Sequence, residues 1–360
     1  MTVLERLHLD KPFMAGLLIL SVLSIVVLYS ASGGEARIAL GQGLRLMLGF
    51  GIMLAIAQIP PTQLARWSPY IYAFGLALLI VVMVIGATGR GAQRWLNLGV
   101  LNFQPSEIMK IGVPMVVAYH FSRHSLPPRL PAIIVAVILM LLPTVLIARQ
   151  PDLGTAVLVM TSGVIVLFLA GINWRWIALM LGMLAASVPV AWAYLHDYQK
   201  QRILTLFSPE ADPLGTGYHI IQSMIAVGSG GLYGKGWFNS TQTHLEYLPE
   251  SSTDFVFAVF AEEFGLIGIF VMFAAYLFVV LRGLTIASNA QDSYARLLAG
   301  SLTLTFFLYF FVNIGMVTGI LPVVGVPLPI VSYGGSSLVT LMAGFGILMS
   351  IQTHRKIMQT

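Results

Sequence analysis

The chain has no cysteine and very little charge. Without cysteine there is no disulfide, no thiolate metal site and no cysteine nucleophile. Only 9% of the 360 residues are charged, where a soluble domain carries roughly 25%. Hydrophobic residues make up 58%, and the mean hydropathy is +0.87. This composition excludes a soluble globular domain, a disordered chain and a coiled coil. Acids are also scarce, 14 against 19 Lys and Arg, for a net charge of +5. In a membrane chain such an excess serves orientation, so it is no sign of nucleic-acid binding. HExxH, a P-loop lysine motif and GxSxG are all missing, and the seven His are scattered from His8 to His354. Neither a hydrolase triad nor a zinc site is expected.

What the chain does have is long charge-free runs, over 12–34, 46–65, 67–89, 130–148, 153–174, 176–196, 213–234, 264–281 and 297–354. Runs of about 18 or more apolar residues can cross a ~30 Å hydrocarbon core. The run 213–234 holds Gly215, Gly217, Gly228, Gly230, Gly231 and Gly234 and reads as loop, because so many breakers do not suit a lipid-facing helix. Pro105 to Phe121 reads as helix despite Glu107 and Lys110, and 297–354 is long enough for two spans. The expectation is an all-α polytopic membrane protein, one domain over 1–360. About ten transmembrane helices lie near 13–31, 38–58, 69–87, 105–121, 131–148, 153–170, 174–195, 254–281, 296–317 and 334–352.

An even count puts both termini on one side. With that side cytoplasmic, every short inner loop carries a basic residue: Arg66, Arg123 with Arg129, Arg175, and Arg282 with Arg296. This is the pattern the positive-inside rule requires. Most acids then fall outside, which points to work done at the outer face, since ionisable groups near the bilayer usually mark a site. The apolar core Phe13 to Tyr29 is too long for a signal-peptide h-region and is expected to be a retained span. Residues 196–253, between helices 7 and 8, form the one large extracytoplasmic loop, long enough to suggest function.

Four stretches carry candidate chemistry. In Leu248-Pro249-Glu250-Ser251-Ser252-Thr253-Asp254-Phe255, Thr253 or Asp254 stands where a helix N-cap belongs. Asp254 also has a long polar loop before it, with Glu262 and Glu263 two turns beyond. Those two acids are adjacent and point about 100° apart, so an ion pair is expected, with Lys110, Arg45, Arg94 or Arg149 as partner. Gly91 to Gly99 alternates polar and apolar residues, with Trp95 suited to the headgroup level and Arg94 to a lipid phosphate. It leads to Gln104-Pro105-Ser106-Glu107, a helix start where Glu107 and Lys110 share a face at i,i+3; the pair either neutralises itself or binds a diphosphate or metal. Arg149 to Thr155 is a turn with Asp152 at a helix entry. Gly319 to Ser336 is apolar but rich in Pro and Gly. It is expected to be a re-entrant loop lining the site, with Ser332 and Tyr333 offering hydroxyls.

The stretches GAQRWLNLG (91–99), FQPSEIMKI (103–111), QPDLGTA (150–156), DPLGTGYHIIQSMIAVGSGGLYGKGW (212–237), LPESSTDFVFAVFAEEFG (248–265) and GILPVVGVPLPIVSYGGSS (319–337) resemble the shape, elongation, division and sporulation (SEDS) family, on its RodA-like branch. The resemblance implies a glycosyltransferase that polymerises lipid II at the outer leaflet of the bacterial inner membrane during elongation. It further implies a class B penicillin-binding protein and other elongation proteins as partners. Asp254 is similar to the family's essential aspartate, and Trp95, Glu107, Lys110 and Asp152 match polar or aromatic motif positions. Asn102 departs from the pattern, standing where a basic residue is expected. The chemistry so implied is an inverting displacement with Asp254 as general base. Lys110, Arg94 or a divalent cation (Mg or Mn) on outer carboxylates would face the leaving diphosphate. Lipid II flipping and non-catalytic scaffolding are the alternatives.

Overall fold

A computed structural model of the chain describes residues 8–89, 92–97, 102–194, 197–208, 210, 216–244, 247 and 250–354. The long helices are α1 (Lys11–Ala31), α2 (Ala36–Ala57), α3 (Pro61–Ile85), α4 (Pro105–Ser122), α5 (Leu130–Arg149), α6 (Leu153–Leu169) and α7 (Trp174–Tyr194). Shorter α8 (Asp197–Phe207), α9 (Thr216–Ser229) and α10 (Thr241–His244) precede α11 (Val256–Ser288), α12 (Ser293–Val317) and α13 (Ser336–Thr353). Among the described residues seven helices, α1 to α3, α5 and α11 to α13, are long and apolar enough to cross a membrane, while α6 is apolar but shorter.

Local sequence accounts for the helix starts. Proline occupies the first turn of α1, α3, α4 and α5, where its missing N–H is no loss. Aspartate caps three helices: Asp10 accepts the Phe13 amide at 2.9 Å, Asp152 the Thr155 amide at 3.3 Å and Asp292 the Ala295 amide at 2.7 Å. Asp10 also receives a two-pronged bond from Arg282, at 2.9 and 2.6 Å, tying the start of α1 to the far part of α11. At that end the imidazoles of His8 and His354 stack with centroids 4.1 Å apart, so the two ends of the described chain meet.

α4 and α12 form the centre, packing on each other and each on α6. They are buried on most sides and carry buried polar residues, among them Glu107, Thr305 and Asn313. The outer helices expose large apolar side chains such as Leu44, Met47, Val84 and Ile134. A lipid solvent favours this inversion, with polar groups inside and apolar groups out.

Three features differ from the sequence expectation. The described residues between α3 and α4 form three short antiparallel strands, β1 (Ala87–Gly89), β2 (Ala92–Asn97) and β3 (Asn102–Phe103), a small addition at a helix end to an otherwise helical fold. The run 213–234, read as loop, contains α9. Its glycines cluster at the two ends and leave 218–227 free of them, and Ile220 and Ala226 are buried where α9 packs on α11. Finally, α11 is broken at Gly265, with φ 60° and ψ −163°. The backbone groups freed there pair with the stretch after α9. Lys235 and Gly236 amides donate to Glu262 and Glu263 carbonyls at 3.0 Å, and the Leu266 amide donates to the Gly231 carbonyl at 2.9 Å.

Candidate active site

The turn before α11 presents Asp254. Glu250 opens it in the left-handed region, φ 61°, and its carbonyl accepts the Thr253 and Phe255 amides at 3.0 and 3.3 Å. Three other elements hold this turn. Ser251 Oγ donates to the Ala31 carbonyl at the end of α1, at 3.0 Å. The Tyr333 amide donates to the Ser252 carbonyl at 2.9 Å. Asn313 of α12 donates from Nδ2 to the carbonyls of Asp254, at 2.9 Å, and Val326, at 2.7 Å. Gly325, at φ +78°, faces Asp254: a Cβ there would lie 3.3 Å from Asp254 Oδ2.

The Pro- and Gly-rich segment after α12 is clamped from behind. Gln42 of α2 is fully buried and donates from Nε2 to the Ile330 and Ser332 carbonyls at 3.2 and 3.3 Å. Ser24 of α1 donates to the Val331 carbonyl at 3.0 Å. Ile330 has φ 67°, a strained conformation for a β-branched residue that persists only where its surroundings enforce it. The Arg45 guanidinium sits 4.0 Å from the Tyr333 ring centroid, a cation–π contact that steadies the ring.

Between this loop, the Asp254 turn and the starts of α4 and α6 lies a cavity of about 580 Å³. Trp95, Glu107, Lys110, Asp152, Asp254, Ser332 and Tyr333 all line it. Lys110 Nζ is 2.7 Å from Glu107 Oε1, and Asp152 Oδ2 accepts Gln104 Nε2 at 3.0 Å. The cavity floor between α12 and α13 is apolar, with Leu302, Phe306, Leu341 and Phe345.

The sequence profile of the FtsW/RodA/SpoVE family, described as cell cycle protein, matches residues 6–357. The chain belongs to that family. Among its relatives is the Escherichia coli peptidoglycan glycosyltransferase MrdB, 53% identical over 355 residues, covering 98% of this chain and 96% of the relative. The protein of the same name from Helicobacter pylori is 36% identical over 360 residues, covering 98% of this chain and 92% of the relative. Among solved structures, one described as a peptidoglycan synthase complex coordinating polymerization and crosslinking aligns with TM-score 0.83 and 29% identity over 95% of this chain and 97% of the other. The rod shape determining protein RodA of Thermus thermophilus aligns with TM-score 0.74 and 26% identity over 96% and 98%.

In this FtsW/RodA/SpoVE chain seven of the eight residues expected from sequence to act on or bind the substrate meet at one cavity. The eighth, Arg94, is on β2, and its side chain lies outside the described residues, as does that of Asn102. Some individual roles are corrected. The N-cap of α11 is Phe255, without a side-chain cap bond, so neither Thr253 nor Asp254 caps the helix. Ser332 Oγ accepts the Leu328 amide at 2.7 Å and thereby shapes the loop. Glu262 pairs with Lys235 at 2.6 Å, a partner outside the four expected from the sequence. Ser240 Oγ and Thr241 Oγ1, each at 2.6 Å, complete its shell. Glu263 accepts a bond from Ser30.

Sequence reasoning missed Thr305, Tyr309 and Asn313. Their signal is a stripe at intervals of four, Ser301, Thr305, Tyr309 and Asn313, on one face of an otherwise apolar helix. The i,i+4 spacing of polar groups inside a span would have drawn attention to them.

Proposed function

We infer that this chain is a peptidoglycan glycosyltransferase of the bacterial inner membrane, polymerising lipid II into β-1,4 glycan strands at the outer leaflet, with a class B penicillin-binding protein as partner. The observation that carries the reading is the cavity. Asp254 meets the Glu107–Lys110 pair and Asp152 there, on a turn held by α1, α12 and the loop before α13. Four family names and titles point the same way: two glycosyltransferases, a synthase complex and a rod-shape protein.

The reaction is one inverting displacement. The 4-hydroxyl oxygen of an acceptor GlcNAc attacks C1 of a donor MurNAc, the C1–O bond to the diphosphate breaks, and the hydroxyl proton passes to Asp254. General-base assistance of this type contributes typically about 10²–10⁴-fold. Polyprenyl diphosphate leaves readily, so no second carboxylate is required as acid. Glu262, whose oxygens are taken by Lys235, Ser240 and Thr241, is not one of a glycosidase pair. Among the described residues no three His, Asp or Glu side chains gather as a metal-holding group. A divalent cation (Mg or Mn) would need only one or two of the outer carboxylates together with the diphosphate.

The test is lipid II polymerisation by the purified protein with its class B partner, transpeptidation blocked, comparing the native chain with Asp254→Ala and Asp254→Asn. Loss of glycan chains in both folded variants supports the mechanism, and unchanged chains from both sink it. No chains from any version, with lipid II flipping intact in liposomes, would mark a transporter instead.

A further inference from the structure

The deep wall of the cavity carries three oxygens whose hydrogen bonding is incomplete. Glu107 Oε2 and Thr305 Oγ1 are buried without a hydrogen-bond partner among the described residues, and Tyr309 Oη, beside Lys110, makes no hydrogen bond of good geometry there. All three side chains line the cavity and are over nine-tenths buried, with relative exposures of 4%, 5% and 7%. Buried polar groups of this kind are almost always paired, and leaving them unmet is expensive. Thr305 and Tyr309 are one helical turn apart on α12 and project together. Lys110 completes the group, its Nζ bonded to Glu107 Oε1 at 2.7 Å and 5.2 Å from the Tyr309 ring centroid.

The charge of the wall selects among ligands. Among the described lining residues four carboxylates, Glu107, Asp152, Glu250 and Asp254, stand against one ammonium, Lys110, a surplus of three negative charges. The one ammonium, Lys110, is already bonded to Glu107, so the described wall offers a diphosphate no free cation. An uncharged sugar suits it: hydroxyl and acetamido oxygens accept from Tyr309, Thr305 and Lys110, and a sugar O–H or an amide N–H donates to Glu107 Oε2. We propose that Glu107, Lys110, Thr305 and Tyr309 form a subsite for a neutral N-acetylated sugar ring of the lipid-linked substrate, and that the diphosphate is held elsewhere. This rests on the glycosyltransferase reading above and extends it to two residues of α12.

Binding separates the two claims, because it needs no turnover. The full-length protein, with Tyr309→Phe, Thr305→Val and both together, is titrated with lipid II and with the sugar-free polyprenyl diphosphate of the same tail. Each lost hydroxyl weakens lipid II binding by about 3–10-fold and leaves polyprenyl diphosphate binding unchanged, while Thr305→Ser, which restores a hydroxyl, restores lipid II binding. Equal weakening of both ligands would assign the wall to the diphosphate and overturn the proposal. So would unchanged lipid II binding in the double variant, which would mean that water satisfies these hydroxyls. Thr305→Val stands as an independent test if Tyr309→Phe does not fold. A native protein that binds lipid II with this pattern yet makes no glycan would sink the polymerase reading and leave the sugar subsite standing.

Discussion

Two buried acids in this bundle have opposite surroundings. Glu262, fully buried, accepts from the Lys235 ammonium, two hydroxyls at 2.6 Å and the Thr241 amide at 3.2 Å. Glu107 holds one lysine with one oxygen and leaves the other without a partner at the wall of a cavity. A saturated carboxylate has finished its work when the protein folds, because every lone pair already belongs to the loop it anchors. An unsaturated one carries an unmet demand that only a ligand or water can fill. Burial alone does not separate these two acids; what separates them is an unmet oxygen at the wall of a cavity.

The sharpest way to break this comparison is at the cavity. Asp254→Asn keeps size and turn geometry but removes the base, so polymerisation falls by about 10²–10⁴-fold while the thermal midpoint of the purified protein stays put. On the saturated side the effects reverse. Glu262→Ala leaves Lys235 and two hydroxyls unmet, which destabilises by about 3 kcal/mol, seen as a lowered unfolding midpoint with activity per folded molecule retained. The Glu107–Lys110 pair should lie between. Glu107→Gln and Lys110→Met together will fall short of the sum of the single losses by about 0.5–3 kcal/mol, measured as a double-mutant cycle on thermal stability. The smallest effect belongs to Lys235→Met: its side chain is 32% exposed and Glu262 keeps its hydroxyl and amide donors, so the loss is about 1 kcal/mol or less. A larger loss from Lys235→Met than from Glu262→Ala would show that the loop, and not the acid, is the anchor.

Much of this was legible in the sequence because a bilayer punishes exposed polarity. Charge-free runs marked the long helices, and the sparse Asp, Glu and Lys residues outside them pointed to a shared cavity. What stayed hidden has identifiable causes. α9 was masked by glycines at its ends, which raise the breaker count without entering its middle. The partner of Glu262 was invisible because Lys235 lies 27 residues away and meets it only through the Gly265 break. Thr305 and Tyr309 sat inside the charge-free run 297–354, where a hydropathy average outweighs single hydroxyls. The small sheet was foreshadowed by alternation in 91–99, but two of its three strands are too short to show a period.

The break at Gly265 bears on how the chain enters the bilayer. A continuous α11 would carry Glu262 and Glu263 into the lipid as part of one span, a heavy penalty for an insertion machinery that reads hydrophobicity. Because the helix is interrupted, the apolar part after Gly265 is long enough to be threaded by itself, and the acid-bearing part before it is buried on nearly every side by protein. The segment next to Asp254 is thus a docked piece, delivered beside the membrane crossing, and its polarity is tolerated because the stretch after α9 satisfies the backbone where the two parts join.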